Sequence, residues 1–324
     1  MDRRAFLAGA AATPFVLGSS SARGCLLGGG GTPLALVTAD LESHVVAVEL
    51  GSGRVVGRVR TERGPRSIES VGASTALVAH TSAGAVSLLD GASLRVRALL
   101  RGFAEPRYTA ADPLGRFAYV TDSGQGGIAV VDVLHEELLE RVELDGPARH
   151  VSLSSSGRQL WVALGSKAQE VAVLAVNRRG RPRLIARLRP PFLAHDVGFA
   201  PDGRSVWVSS GDRGLIAVYD ARRRRIRFTV AADAPPQHVT FIGGRAYVAS
   251  GDDGTLRVHD LRDGRLLRTT HIPLGSYNVE QGWGMVITPS LQRGTLCLLR
   301  RSGQLAHQLR VARSSHDACL VMGR

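Results

Sequence analysis

The stretch GRFAYVTDSGQGGIAVVDV, residues 115–133, decides the fold. FAYVT and IAVVD are apolar runs of strand length rich in β-branched and aromatic residues, and the SGQGG between them supplies the positive-φ positions of a tight antiparallel turn. The segment reads as a β-hairpin. Nearly the same pattern returns as GRSVWVSSGDRGLIAVYD at 203–220 and GRAYVASGDDGTLRVHD at 244–260, so it is a repeated unit and not a site. Each hairpin follows a run that ends in a glycine-containing turn, as in VGFAPDGRSVWV with its Asp202-Gly203 pair, and precedes another run such as LLERVEL or IRFTVAA. One copy therefore holds about four strands in about forty residues, the size of a propeller blade.

Aligned on their polar corners, the copies begin at Ile68, Thr109, Val151, Val197, Val239 and Val279, with a first, incomplete copy from Pro33. That incomplete copy lacks its first strand, while the C-terminal HDACLVM reads as a first strand with nothing after it. Joining the two fragments completes a seventh blade and closes the ring without an unpaired inner edge. The expectation is an all-β, seven-bladed propeller of four-stranded antiparallel blades over residues 33–324, a single domain despite the 324-residue length. Apolar residues make up 44% of the chain and aromatics only 5%, as suits thin Val/Ala/Leu sheets packed face to face.

The hairpins AYVTDSGQGGIAVVDV, VWVSSGDRGLIAVYD and AYVASGDDGTLRVHD resemble the YVTN-type repeat of bacterial surface and periplasmic seven-bladed propellers. The resemblance covers roughly residues 33–322 and implies the fold. It says little about activity, since related propellers include binding proteins, lactonase-like enzymes and cofactor-carrying domains. The copies SVGASTALVAHTSAGAVSLLD and VEQGWGMVITPSLQRGTLCLLRR fit the motif least well.

Residues 1–24 carry a separate message. Paired Arg3 and Arg4, then Phe6 and Leu7 and a run of small apolar residues, resemble a twin-arginine export signal, so a periplasmic, cell-surface or extracellular location is expected. Cys25 falls where such a signal would be cut, and the following glycines would make residues 25–32 a flexible tether were Cys25 lipidated. Ala22 and Arg23 depart from the usual lipoprotein pattern ahead of it. Cys297 and Cys319 match no zinc spacing and are expected as buried apolar side chains on different strands.

The formal charge of +13 raises the question of polyanionic partners. The excess is almost all arginine and concentrates at outer hairpins: Arg178, Arg179, Arg181 and Arg183, then Arg222, Arg223, Arg224 and Arg225, then Arg300 and Arg301. Such a face attracts an anionic surface through long-range field and counterion release. Base-stacking aromatics are missing from those turns, which argues against nucleic acid. A monomer is expected, with a membrane approached only through a lipid anchor.

The opposite face is the better site. The corner residues ahead of the first strands are Ser67, Tyr108, His150, Asp196, His238, Asn278 and Asp317, preceded by Arg66, Arg107, Arg149, His195, Gln237, Tyr277 and His316. None of the seven corners is apolar, and first strands line the channel of a propeller. His150, His195 and His238 are ligand types for a transition metal or haem-type group, though no fixed spacing makes a metal motif. Arg66, Arg107 and Arg149 could grip a carboxylate or phosphate by forked donation. The bland reading is that these side chains only satisfy backbone groups and waters at the mouth. Asp122, Asp212 and the other acids of the loops between second and third strands read as turn formers. No G-x-S-x-G, H-E-x-x-H or P-loop is present, and nothing in the chain requires a cofactor. The reading is a binding protein or scaffold with its ligand or protein partner at the channel mouth. The alternative is a lactonase-like or metal- or cofactor-dependent enzyme with its site at the same channel mouth.

Overall fold

The computed structural model describes residues 31–232 and 235–324; Arg3, Arg4 and Cys25 lie outside the described residues. It contains seven four-stranded antiparallel sheets. Blades 2 to 7 span residues 65–101, 106–143, 151–188, 194–231, 239–271 and 280–310. Blade 1 is composite: its inner strand is Ala318–Met322, followed outward by Pro33–Ala39, His44–Glu49 and Val55–Arg60. The closing strand pairs in the register Leu34↔Val321, Leu36↔Cys319, as the split copy requires.

The burial of each strand explains its composition. Middle strands such as Ser205–Ser210 and Thr75–His80 are buried along their whole length, because both faces press on neighbouring blades; they accordingly read as continuous Val/Ala/Leu/Ser runs. Outer strands such as Glu137–Glu143 alternate between exposed and partly buried positions, and their charges guard the free edge. Seven apolar clusters occupy the seven interfaces between adjacent blades, including one between blade 7 and blade 1, so the ring is closed by packing as well as by pairing. Trp161 and Trp207 fill the two interfaces that flank blade 5 and are completely buried. Cys297 and Cys319 are both free and buried.

A feature the sequence reading did not separate recurs in every blade. The pairing of third and outer strands shifts register once in each of the seven sheets. The hairpin before each shift holds one left-handed residue: Gly53, Leu94, Glu136, Gly180, Arg224, Gly264 or Gly303. This is the turn-plus-bulge connection that matches strand twist, and three blades make it without glycine.

The first strands of blades 2, 3 and 5 begin at Pro65, Pro106 and Ala194, three residues before the expected Ile68, Thr109 and Val197. Their pairing breaks register at Pro65/Ser67, Pro106/Thr109 and Ala194/Val197. The corner is thus a bulge inside the strand: the ladder continues past it while the extra residues are released from pairing.

Candidate functional site

The described structure draws the seven corners into one polar mouth above a cavity of about 220 Å³. At its centre stand His150, His195 and His238, whose ligand-type ring nitrogens all lie within 4.8 Å of one another. Ring centroids are 4.4 Å apart for His150 and His195, 4.7 Å for His150 and His238, and 6.0 Å for His195 and His238. Tyr108 covers the cluster, 4.1 Å from the His150 ring and 5.3 Å from that of His238. His316 is further off, 6.2 Å from Tyr108.

The rings differ in how they are held. His195 Nδ1 is 2.8 Å from the Ser166 carbonyl oxygen, so Nδ1–H donates and Nε2 keeps a lone pair. His316 is held the same way by the Arg66 carbonyl at 2.7 Å. His238 Nδ1 faces Asp196 Oδ2 at 3.4 Å. Asp196 is itself fixed, its amide donating to Ser209 Oγ and its carboxylate accepting from the Val239 amide. His150 is held more loosely: it is 1% exposed, and neither ring nitrogen meets full hydrogen-bond geometry, the His195 backbone being the polar group beside it. A buried imidazole short of hydrogen bonds costs on the order of 1–3 kcal/mol.

Burial sets the protonation states. His150 is held well below the usual histidine range by desolvation, reinforced by His195, His238 and Arg149 and offset in part by the His195 backbone. Desolvation likewise drives His195 to about 4 and His316 well below its ordinary value. These rings are neutral lone-pair donors at neutral pH. Burial raises Asp317 to about 6, against the donated Ile68 amide. At Asp196 burial also pushes upward, but the facing His238 and His195 outweigh it and the net shift is down.

The arginines are partly committed. Arg66 pairs with Asp40 at 3.0 Å and Arg107 with Glu105 at 3.0 Å. Arg149 lies beside the Tyr108 hydroxyl, and the Nε atoms of both Arg107 and Arg149 are buried without a partner. Asn278 and Asp317 are structural: Asn278 donates to the His316 carbonyl at 2.7 Å, and Asp317 Oδ2 accepts from Ile68, tying blade 7 to blade 1 and blade 1 to blade 2. The loop acids do more than form turns. Asp122 accepts the amides of Ala104 and Glu105, Asp212 that of Leu193 and Asp40 that of His316, each bracing the entry to an inner strand.

Two residues were missed. Glu69 and Glu280 line the cavity below the mouth; burial, with Glu69 and Asp317 nearby, holds Glu280 well above the usual carboxyl range. The signal was period-2 alternation: two residues past six of the seven corners stand Glu69, Ala110, Ser152, Gly198, Thr240 and Glu280, all lining the cavity, while Cys319 past the seventh packs between blades 1 and 2. The small ones among them leave the void.

On the opposite face, Arg222, Arg223 and Arg225 are exposed, and Arg223 meets Asp220 at 3.7 Å. Arg181 reaches Glu140 of the preceding blade at 3.7 Å, so the acid of blade 3 partly neutralises the base of blade 4.

No protein-family model matches this chain, and no curated protein matches it. Solved structures do. A functionally unknown protein from Desulfotomaculum acetoxidans superposes with a TM-score of 0.77 at 12% identity, covering 90% of this chain and 99% of its own. A protein from Lactobacillus plantarum gives 0.73 at 15% identity, with the same coverages. The dihydro-heme d1 dehydrogenase NirN, in complex with DHE, gives 0.62 at 18% identity; 86% of this chain matches, spanning 63% of that one. At these identities the likeness defines the class, a seven-bladed β-propeller.

Proposed function

We propose that this protein is an exported propeller that binds a small anionic or metal-bearing ligand at the channel mouth, through Arg149, His150, His195, Asp196 and His238. The observation that carries the reading is the convergence of His150, His195 and His238, whose ligand-type nitrogens lie within 4.8 Å of one another in a mouth lined by the polar corners. A ligand that accepts from or donates to these buried rings offsets their desolvation. Paired Arg3 and Arg4 support export; changing both to Lys should retain the precursor in the cell, and undiminished secretion would count against the twin-arginine route.

The binding test is native mass spectrometry of tag-free protein isolated without chelators. An adduct should be present in the wild type and in a variant with Arg222, Arg223, Arg224 and Arg225 changed to Ser, and absent from the His150→Ala/His238→Ala double variant, which should still unfold in one cooperative transition. An adduct that survives the double change and disappears with the four arginines would put the function on the other face.

A further inference from the structure

We propose that His150, His195 and His238 form a binding site for one divalent transition-metal ion of the zinc, cobalt, nickel and copper group. The inference rests on the reading of the mouth as a ligand site and names what is held there. Three imidazoles from three consecutive blades bring their nitrogens within 4.8 Å of one another. Around an ion with bonds of about 2.0–2.1 Å, three such nitrogens would stand about 3.3 Å apart, so each moves inward by up to about 0.9 Å when the ion binds.

The surroundings match those that prepare histidines for metal. A metal-binding imidazole usually donates its other N–H to a carbonyl or carboxylate, which fixes the tautomer and aims the lone pair. His195 has the Ser166 carbonyl in that place, and His238 has Asp196, itself immobilised by Ser209 and Val239. Both therefore present Nε2. His150, whose ring nitrogens meet no full hydrogen-bond geometry, lies within reach of both and supplies the third donor.

An all-nitrogen set selects the borderline transition metals over calcium and magnesium, which require oxygen ligands. Three protein ligands leave at least one coordination position open. Arg149, beside Tyr108 and close enough to His150 and His195 to act on them electrostatically, adds positive charge next to that position, which favours an anion there. A metal with an exchangeable anion then accounts for the histidines and the arginine in one site.

The test uses tag-free, chelator-stripped protein titrated with cobalt(II), followed by visible absorption and by elemental analysis after dialysis. One ion per chain is expected, with the absorption of a nitrogen-coordinated cobalt centre. His150→Gln, His195→Gln and His238→Gln should each weaken binding at least tenfold, and Asp196→Asn by about 10–100-fold. Zinc should raise the Tm of the wild type and leave that of the triple Gln variant unchanged. Cobalt uptake no tighter in the wild type than in the triple variant, or a wild-type Tm indifferent to zinc, overturns the proposal. A metal-free organic adduct on the native protein, together with no cobalt binding, would sink the metal site and leave the ligand reading standing; neither adduct nor metal would sink both.

Discussion

Deleting residues 314–324 should collapse the whole ring and not one blade alone. The deletion removes the inner strand of blade 1, with its five-pair register against Pro33–Ala39. Cys319, Leu320 and Val321 are 2%, 7% and 0% exposed; burying Leu320 and Val321 stabilises by about 3–6 kcal/mol together. Three further hydrogen bonds go with the strand: the Thr38 amide to the Asp317 carbonyl within blade 1, and, between blades, the Ile68 amide to Asp317 Oδ2 and Asn278 Nδ2 to the His316 carbonyl. At about 0.5–1.5 kcal/mol each they add about 2–4 kcal/mol. The sum, about 5–10 kcal/mol, is comparable to the entire stability of a typical domain, about 5–15 kcal/mol. Trp161 and Trp207, buried around blade 5 on the far side of the ring, report whether the loss propagates. In guanidinium titrations of proteins carrying Trp283→Phe, followed by the fluorescence of these two residues, the full-length protein should show one cooperative transition and the truncated protein none, or one shifted to much lower denaturant. Leu320→Ala, expected to cost about 2–5 kcal/mol, should keep a single transition at a reduced midpoint. An open array with nearest-neighbour coupling alone would leave the distant blades untouched. Truncated and full-length proteins with the same tryptophan midpoint would refute ring closure as the source of stability.

Stability should fall on mild acidification through His80. Burial lowers this histidine from 6.5 to about 4. The unfolded chain takes up a proton between those values that the native state refuses, so the contribution is complete above about pH 6.5 and lost as pH falls towards 4. His80→Gln should flatten the loss by up to about 3 kcal/mol in denaturant titrations at pH 7 and pH 4.5; an unchanged slope would show that His80 is not kept neutral. Hairpin chemistry predicts opposite signs at two equivalent positions. Gly264 has φ of 75° and a Cβ there would run into Val230, so Gly264→Ala should destabilise by more than about 1 kcal/mol. Arg224, non-glycine at φ of 57°, carries strain that Arg224→Gly relieves; a Tm lowered by that change would mean that the side chain's contacts outweigh the strain.

The fold was legible because its signals are local and repeated. Turn residues such as Asp202-Gly203 and the SGQGG of residues 123–127 act within a few positions of chain, and fourfold strand counts in copies of constant length leave few architectures. Even the closure followed from composition alone, since PLALVTA lacked one partner and HDACLVM lacked three.

At the mouth, the sequence by itself determined which residues would stand at the corners and that none would be apolar. Only the tertiary structure decided what they do there. Asn278 and Asp317 spend their polar atoms on neighbouring blades, and Arg66 and Arg107 on ion pairs, whereas His150, His195 and His238 converge with lone pairs unspent. Nothing in the residue types separates these fates. They depend on the bulges that turn some corners inward, on carbonyls such as that of Ser166, 29 positions from the His195 it orients, and on small residues two positions deeper that leave the cavity open. The physical reason is that chain identity and spacing fix where a side chain can be, but its hydrogen-bond partners and desolvation are supplied by other blades and exist only once the ring has closed.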